Sequence, residues 1–344
     1  MTLPTLPLLP TAVIGSHGQP GWMWLTREAI AQGRLGPIDR QEAWEDATRL
    51  ALADMTEAGL DVIATGEMGR ASFIVGFYER LRGIRNLEQP RRLGVPHWDT
   101  NVPLEVVDRI SAPNGLGVVE EFRMARRYTD RPMKATVPGP FTLCIPLKTG
   151  GPYKDRGTLM ADLVGIVNAE VKALGDAGAD FIQIDEPNFV MYRGDLPDLV
   201  QVFNEAVEGV KAKLALHVCF GNLNGRPFPA VRSYRHLFPA LHGVRADQLV
   251  LEFANRELAD VGLWKEFPSD KELGAGVIDV KSFKAEAPED VAARIREVLK
   301  FVRAERLWIN PDCGFFETPR WIAVAKLRAM VAGARIVRKE LGAA

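Results

Sequence analysis

A single-domain α/β barrel with a parallel sheet is the fold this sequence predicts, and three observations predict it. Short runs rich in Val, Ile and Leu alternate with longer amphipathic stretches, the pattern of repeated βα units. Two segments, DMTEAGLDVIATGE and ALGDAGADFIQIDE, echo one another as helix end, glycine turn, aspartate, strand and carboxylate. No Ser-, Gly- or Pro-rich linker divides the 344 residues, a length that (β/α)8 or TIM barrels with insertions reach as one domain.

Taken in order, the candidate strands are Thr11–Gly15, Asp61–Thr65, Pro132–Val137, Asp180–Ile184, Leu214–Cys219, Gln248–Glu252, Gly274–Asp279 and Arg306–Asn310. The helical periodicity falls between them, at Arg40–Ala58, Leu159–Ala177, Leu196–Lys213, Pro288–Ala304 and Pro319–Glu340. Two stretches exceed what a barrel needs: residues 69–131, which include a further helical piece, and residues 146–157, a Gly/Pro/Lys loop. Both are expected as lids over the C-terminal mouth, with Gly150, Gly151 and Gly157 giving the second freedom to move aside.

Composition narrows the function. Hydrophobic residues make up 47% and charged residues 25%, which suits a globular chain with a sizeable core. The formal net charge is −1 and the cations form no basic stripe, so a nucleic-acid partner is not expected and a small molecule is. The first residues lack a basic and apolar leader pattern, and no apolar run is long enough to span a membrane. Cys144, Cys219 and Cys313 are an odd set of thiols, which points to a reducing, cytoplasmic compartment rather than a disulfide framework.

Polar residues gather where the strands end, at the rim that carries active sites in this fold. In order these are Ser16, Glu67, the Pro138-Gly139-Pro140 turn, Asp185 with Glu186, His217 with Cys219, Glu252, Asp279 with Lys281, and Cys313. Residues two apart on a strand share a face, so His217 and Cys219 both aim into the mouth. With Cys313 and Glu252 they offer an imidazole, two thiolates and an exchangeable carboxylate, a donor set suited to zinc. Two thiolates and a neutral histidine leave such a zinc without net charge, so a substrate thiolate on it stays electron-rich, and the metal lowers the thiol's pKa. Glu67 and Asp185 together suit an ammonium group. Alternatives remain for single residues: Glu67 pairing with Arg70 at the surface, the Asp185-Glu186-Pro187 run opening a loop or capping a helix, and Lys281 pairing with Asp279. Cys144, in FTLCIPL, reads as a small core residue; His97, His236 and His242 read as loop residues, and His17 lies near the first strand end.

The chain resembles the catalytic C-terminal barrel of cobalamin-independent methionine synthase. The resemblance runs through LLPTAVIGS, GEM, PMKATVPGPFT, IQIDEP, HVCFGN, LEFANRE, GVIDVKS and ERLWINPDCGF, in that order and over nearly the full length. It implies zinc held by His217, Cys219, Glu252 and Cys313, with homocysteine sulfur displacing the carboxylate. It also implies that the amino group of homocysteine meets Glu67 and Asp185 while its carboxylate uses Ile14, Gly15 and Ser16. Two features depart from the family pattern: CIPLKTGGPYKDR stands where a tryptophan-containing folate segment is usual, and Lys281 where a histidine is usual. The additional N-terminal barrel of the full-length family enzyme is missing as well. These departures favour methylcobalamin or a corrinoid protein as methyl source, since a methylated folate needs a held pterin and an acid, which Lys281 could supply. Methyltetrahydrofolate-dependent methylation, epoxyalkane:coenzyme M alkyl transfer, and a metal- or ligand-binding barrel without catalysis are the other readings; the sulfonate of coenzyme M would be repelled by Glu67 and Asp185.

Overall fold

The computed structural model describes residues 4–343 except 71–72, 92–101, 193, 195, 222–230, 267–269 and 317. Its strands are β1 (Ile63–Ala64), β2 (Arg82–Arg91), β3 (Val102–Ser111), β4 (Met133–Pro138), β5 (Phe181–Asp185), β6 (Lys213–Val218), β7 (Gln248–Leu251), β8 (Glu272–Ile278) and β9 (Leu307–Pro311). Seven of them form one parallel sheet in the order β1-β4-β5-β6-β7-β8-β9. The sheet strands are buried along nearly their whole length, as expected of a parallel sheet covered by helices, and this explains their almost unbroken apolar runs.

The helices follow their own local chemistry. Pro37 opens the helix Pro37–Ala58 at a position where its missing N–H costs nothing, and Gly59, at φ 85°, closes it in the left-handed region. Asp155 caps the helix Arg156–Asp176 by accepting from the Thr158 amide at 2.8 Å, and Gly178, at φ 90°, turns the chain toward β5. Those two glycine joints are the echoed segments of the sequence. The helices Leu196–Ala206, Pro288–Leu299 and Arg320–Glu340 also lie within the expected ranges, whereas the helix Gly21–Ala31 was not anticipated.

Thr11–Gly15, expected as the first strand, is instead an extended segment that bridges both edges of the sheet. Thr11 pairs with Ile309 of β9, Ala12 with Val62 beside β1, and Ser16 with Gly66, all parallel. Pro10, just before it, has no N–H to offer a longer ladder. The segment is clasped from outside. Arg338 donates to the carbonyls of Leu8 (2.7 Å) and Leu9 (3.0 Å) and pairs with Asp61, which in turn accepts from the Thr11 amide (2.8 Å) and hydroxyl (2.7 Å).

The first insertion departs from its expected form. Alongside the expected helical piece, Val118–Arg126, it contains the antiparallel pair β2–β3, which the charged run RGIRNLEQPR concealed because its apolar residues do not alternate cleanly. His97 lies outside the described residues. The second insertion lies against β3: the Val106 amide donates to the Lys148 carbonyl at 3.0 Å and the Lys148 amide to the Leu104 carbonyl at 3.2 Å. A Cβ on Gly150 would stand 2.5 Å from the Val106 carbonyl oxygen, and one on Gly151 2.5 Å from the Val107 carbonyl carbon. These glycines therefore permit close backbone approach rather than loop freedom, and Gly157 lies within the helix Arg156–Asp176.

The clasp is testable. Arg338→Met keeps the aliphatic stem but strips two carbonyls and a carboxylate of their donor, so we expect stability in chemical denaturation to fall by about 2–4 kcal/mol. A change below about 0.5 kcal/mol would show that the clasp contributes nothing.

Candidate functional site

Parallel register brings the strand ends into one rim. Pro138 lies beside Asp185, Asp185 beside His217, and Val218 beside Leu251, so the residues that follow, Cys219 and Glu252, leave adjacent strands side by side. Beyond β9 the chain turns back and delivers Cys313 to the same place, its sulfur 3.5 Å from that of Cys219. The donor atoms of His217, Cys219 and Cys313 all lie within 4.8 Å of one another.

The environment of this trio suits a metal. The His217 Nδ1–H donates to the Val250 carbonyl at 3.1 Å, which orients the ring and leaves Nε2 as the nitrogen that could ligate a metal. That Nε2 is buried and has no hydrogen-bond partner among the described residues. An orphaned imidazole nitrogen beside two close sulfurs is a soft to borderline donor set of the kind zinc takes. The Cys219 and Cys313 thiols share one hydrogen bond, and this bond, against the cost of burial, holds the Cys313 thiol well below the usual thiol range. The same bond, reinforced by burial, pushes Cys219 up. One proton is thus shared by two thiols that a metal would strip.

Glu252 stands outside the trio. Its Oε2 accepts from the Phe220 amide at 3.0 Å and its Oε1 from the Lys281 ammonium at 2.7 Å, so both carboxylate oxygens already have protein partners. Lys281 therefore pairs with Glu252 and not with the Asp279 carboxylate, which accepts the Lys281 backbone amide (2.8 Å) and the Asn255 side chain (3.0 Å). Burial alone would lower the lysine's pKa, but the Glu252 and Asp312 carboxylates outweigh it and raise it. Asp312 accepts three successive backbone amides, from Phe253 (3.0 Å), Ala254 (2.8 Å) and Asn255 (2.7 Å), and so ties the loop after Glu252 to the turn before Cys313.

A second group of carboxylates lies in the adjoining sector. Glu67 sits in the left-handed region at φ 56°, a strained position for a residue with a Cβ, and is buried rather than at the surface. Its Oε1 accepts from the Thr136 hydroxyl at 2.7 Å and pairs with Arg70 at 3.0 Å. Arg70 is shared with Glu121 at 2.9 Å, so the two carboxylates together keep one uncompensated negative charge. Asp185, buried beside them, is pushed up to about 7 by desolvation, with His217 pulling the other way. Burial likewise raises Glu67 against the pull of Arg70.

Glycine makes the approach to this pocket possible. A Cβ on Gly15 would fall 2.2 Å from Glu67 Oε1, so only glycine lets the carboxylate meet the Ile14–Ser16 backbone. Ser16 is held from the metal side: its carbonyl accepts the Phe315 amide (2.9 Å) and its hydroxyl the Phe316 amide (3.1 Å). His17, in contrast, faces Asp54, its Nε2 3.0 Å from a carboxylate oxygen that Arg320 also braces. Glu186 accepts from the Phe141 (3.0 Å) and Thr142 (2.8 Å) amides at the start of the short helix Pro140–Cys144, which follows β4. Cys144 is fully buried, its thiol raised to about 11 by desolvation, as befits a core residue.

Sequence reasoning missed Arg70 with Glu121, and the pair Lys134 and Gln183 beneath Asp185. The second pair left a signal. Lys134 and Thr136 in MKATVP, and Gln183 and Asp185 in FIQID, are polar residues at period two inside apolar strands, the mark of a polar inner face.

Comparison with known proteins agrees with this architecture. A family described as "Cobalamin-independent synthase, Catalytic domain" matches residues 9–336. A protein named methionine synthase from Saccharolobus islandicus is 39% identical over 340 residues, covering 98% of this chain and 97% of its own length. One of the same name from Sulfurisphaera tokodaii is 36% identical over 341 residues, covering 98% and 94%. Among solved structures, a B12-independent methionine synthase from Shewanella sp. W3-18-1 in complex with selenomethionine superposes with a TM-score of 0.85 at 30% identity, covering 98% of this chain and 100% of that one. These relatives lend no support to the corrinoid donor expected from the sequence. The chain belongs to the cobalamin-independent methionine synthase family.

Proposed function

We propose that this protein methylates the sulfur of homocysteine to form methionine, using a zinc ion held by His217, Cys219 and Cys313 at the rim of a closed (β/α)8 barrel that spans 1–344. The observation that carries the proposal is the trio itself: two thiols 3.5 Å apart and a buried imidazole, with donor atoms all within 4.8 Å of one another. The bridging of residues 11–16 to both sheet edges supports barrel closure. Three free cysteines fit a reducing, cytoplasmic setting. Among the described residues no helix is long and apolar enough to cross a membrane.

When bound, zinc would lower the pKa of the incoming thiol and hold it as a nucleophilic thiolate. The protein supplies the rest. Asp185 and Glu67, with one charge left over after Arg70, receive the ammonium of homocysteine, and the Ile14–Ser16 backbone receives its carboxylate. So held, the sulfur is aimed at the methyl carbon; the new S–C bond forms as the methyl leaves its donor. Glu252 remains paired with Lys281, which keeps it clear of the incoming sulfur. Lys281, with its raised pKa, is a weak acid, and its main task is to hold that carboxylate.

A family described as cobalamin-independent favours a methylated folate over a corrinoid as methyl source, and we take methyltetrahydrofolate as the donor. Its leaving nitrogen must gain a proton, from solvent or from an acid at the rim.

Elemental analysis of the purified protein should find one zinc per chain, and Cys219→Ser and Cys313→Ser should each lose both metal and methionine formation. Full activity in metal-free protein would end the zinc proposal. In a separate assay, zinc-loaded protein with homocysteine should yield methionine from methyltetrahydrofolate, as mono- or triglutamate. Methionine from methylcobalamin alone would reverse the donor assignment, and alkylation of coenzyme M alone would reverse that of the acceptor.

A further inference from the structure

Lys134 is a buried cation that the proposed reaction leaves unused. It lies on β4, is 1% exposed, and forms no ion pair among the described residues. Its Nζ donates to Gln183 Oε1 at 2.5 Å and lies over the Phe181 ring at 5.5 Å. Gln183, on β5 and wholly buried, spends its two amide protons on separate targets: Asp185 Oδ1 at 2.7 Å and the Ile14 carbonyl at 3.1 Å.

An amide can sit in two orientations that differ by exchange of oxygen and nitrogen. An ammonium donates only, so Lys134 admits just the one with the oxygen toward it and the NH2 toward Asp185 and Ile14. In the reversed orientation Gln183 would set its oxygen against a carboxylate oxygen and a carbonyl oxygen, both buried. The two acceptors are the two ends of the pocket proposed for the amino-acid portion of homocysteine.

Resting on that reading, we infer that Lys134 and Gln183 are positioning residues that fix the span between Asp185 and the Ile14–Ser16 backbone, and so select acceptor thiols bearing both an α-ammonium and an α-carboxylate. Neither side chain touches the acceptor. Burying a lysine solely to brace a barrel would be a poor choice where an apolar residue of the same size packs as well; orienting an amide beneath a specificity pocket gives the charge a use.

The test compares homocysteine with 4-mercaptobutyrate, which keeps the thiol and carboxylate but has no ammonium. Lys134→Met and Gln183→Glu are loaded with zinc, checked for metal content and melting temperature, and assayed with both thiols. For each variant kcat/KM with homocysteine should fall by about tenfold or more while that with 4-mercaptobutyrate falls by less than about twofold, collapsing the preference for the amino acid. Equal falls with both thiols, or no change with either, would overturn the inference and mark the network as structural. Gln183→Glu preserves volume and still accepts from Lys134, so it decides the matter should Lys134→Met fail to fold. Failure of the wild-type protein to methylate homocysteine with any donor would instead sink the functional reading, and this inference with it.

Discussion

Strand register is the constraint on which the site depends. Asp185 faces the same pocket as His217 because β5 and β6 pair Asp185 with His217, and Cys219 follows His217 at the interval that keeps both on one face. A slip of one residue between any two of these parallel strands would turn an inward set of polar side chains into the helix layer and bring apolar ones to the rim. The apolar partners that prevent the slip, such as Ile182, Ile184, Leu214 and Leu216, are almost entirely buried, so the stability of the core and the geometry of the site rest on the same pairings. The return of the chain after β9 is fixed as firmly, since Asp312 binds three consecutive amides of the loop after β7.

Around this frame the protein buries an unusual amount of charge, and it does so by sharing. Arg70 serves Glu67 and Glu121, Lys281 serves Glu252, and Lys134 reaches Asp185 only through an amide. Desolvation raises Asp185 and Asp312 and lowers Lys134, in each case against the pull of a neighbouring opposite charge. A pocket of this kind is arranged in advance for a charged ligand: the cost of its desolvation is met in folding, before the ligand arrives. Glycines at the points of closest approach make the arrangement possible, Gly15 against Glu67 and Gly139 against Glu186.

Much of this was legible in the sequence. Seven parallel strands fall within a few residues of the expected runs because apolar β-branched stretches between amphipathic ones have few other stable readings. His217, Cys219 and Cys313 were identifiable because their chemistry is specific and strand ends are where barrels do their work. What could not be read were the choices between partners. Glu252 reads in the sequence as the exchangeable metal ligand, and only the fold places Lys281 2.7 Å from it. Glu67 reads in the sequence as a surface partner of Arg70 or as a ligand for an ammonium; the fold keeps the Arg70 pairing but buries it and shares Arg70 with Glu121. The β2–β3 pair escaped notice because the apolar residues of its charged first strand do not alternate cleanly.

The central claim is that two cysteines and a histidine hold a zinc ion on which the acceptor sulfur is activated. Zinc K-edge X-ray absorption of the metal-loaded protein, before and after addition of homocysteine, tests it most directly. The account predicts two sulfur neighbours at the metal in the free protein and a third once homocysteine is added. An unchanged sulfur count in the presence of saturating homocysteine would contradict it.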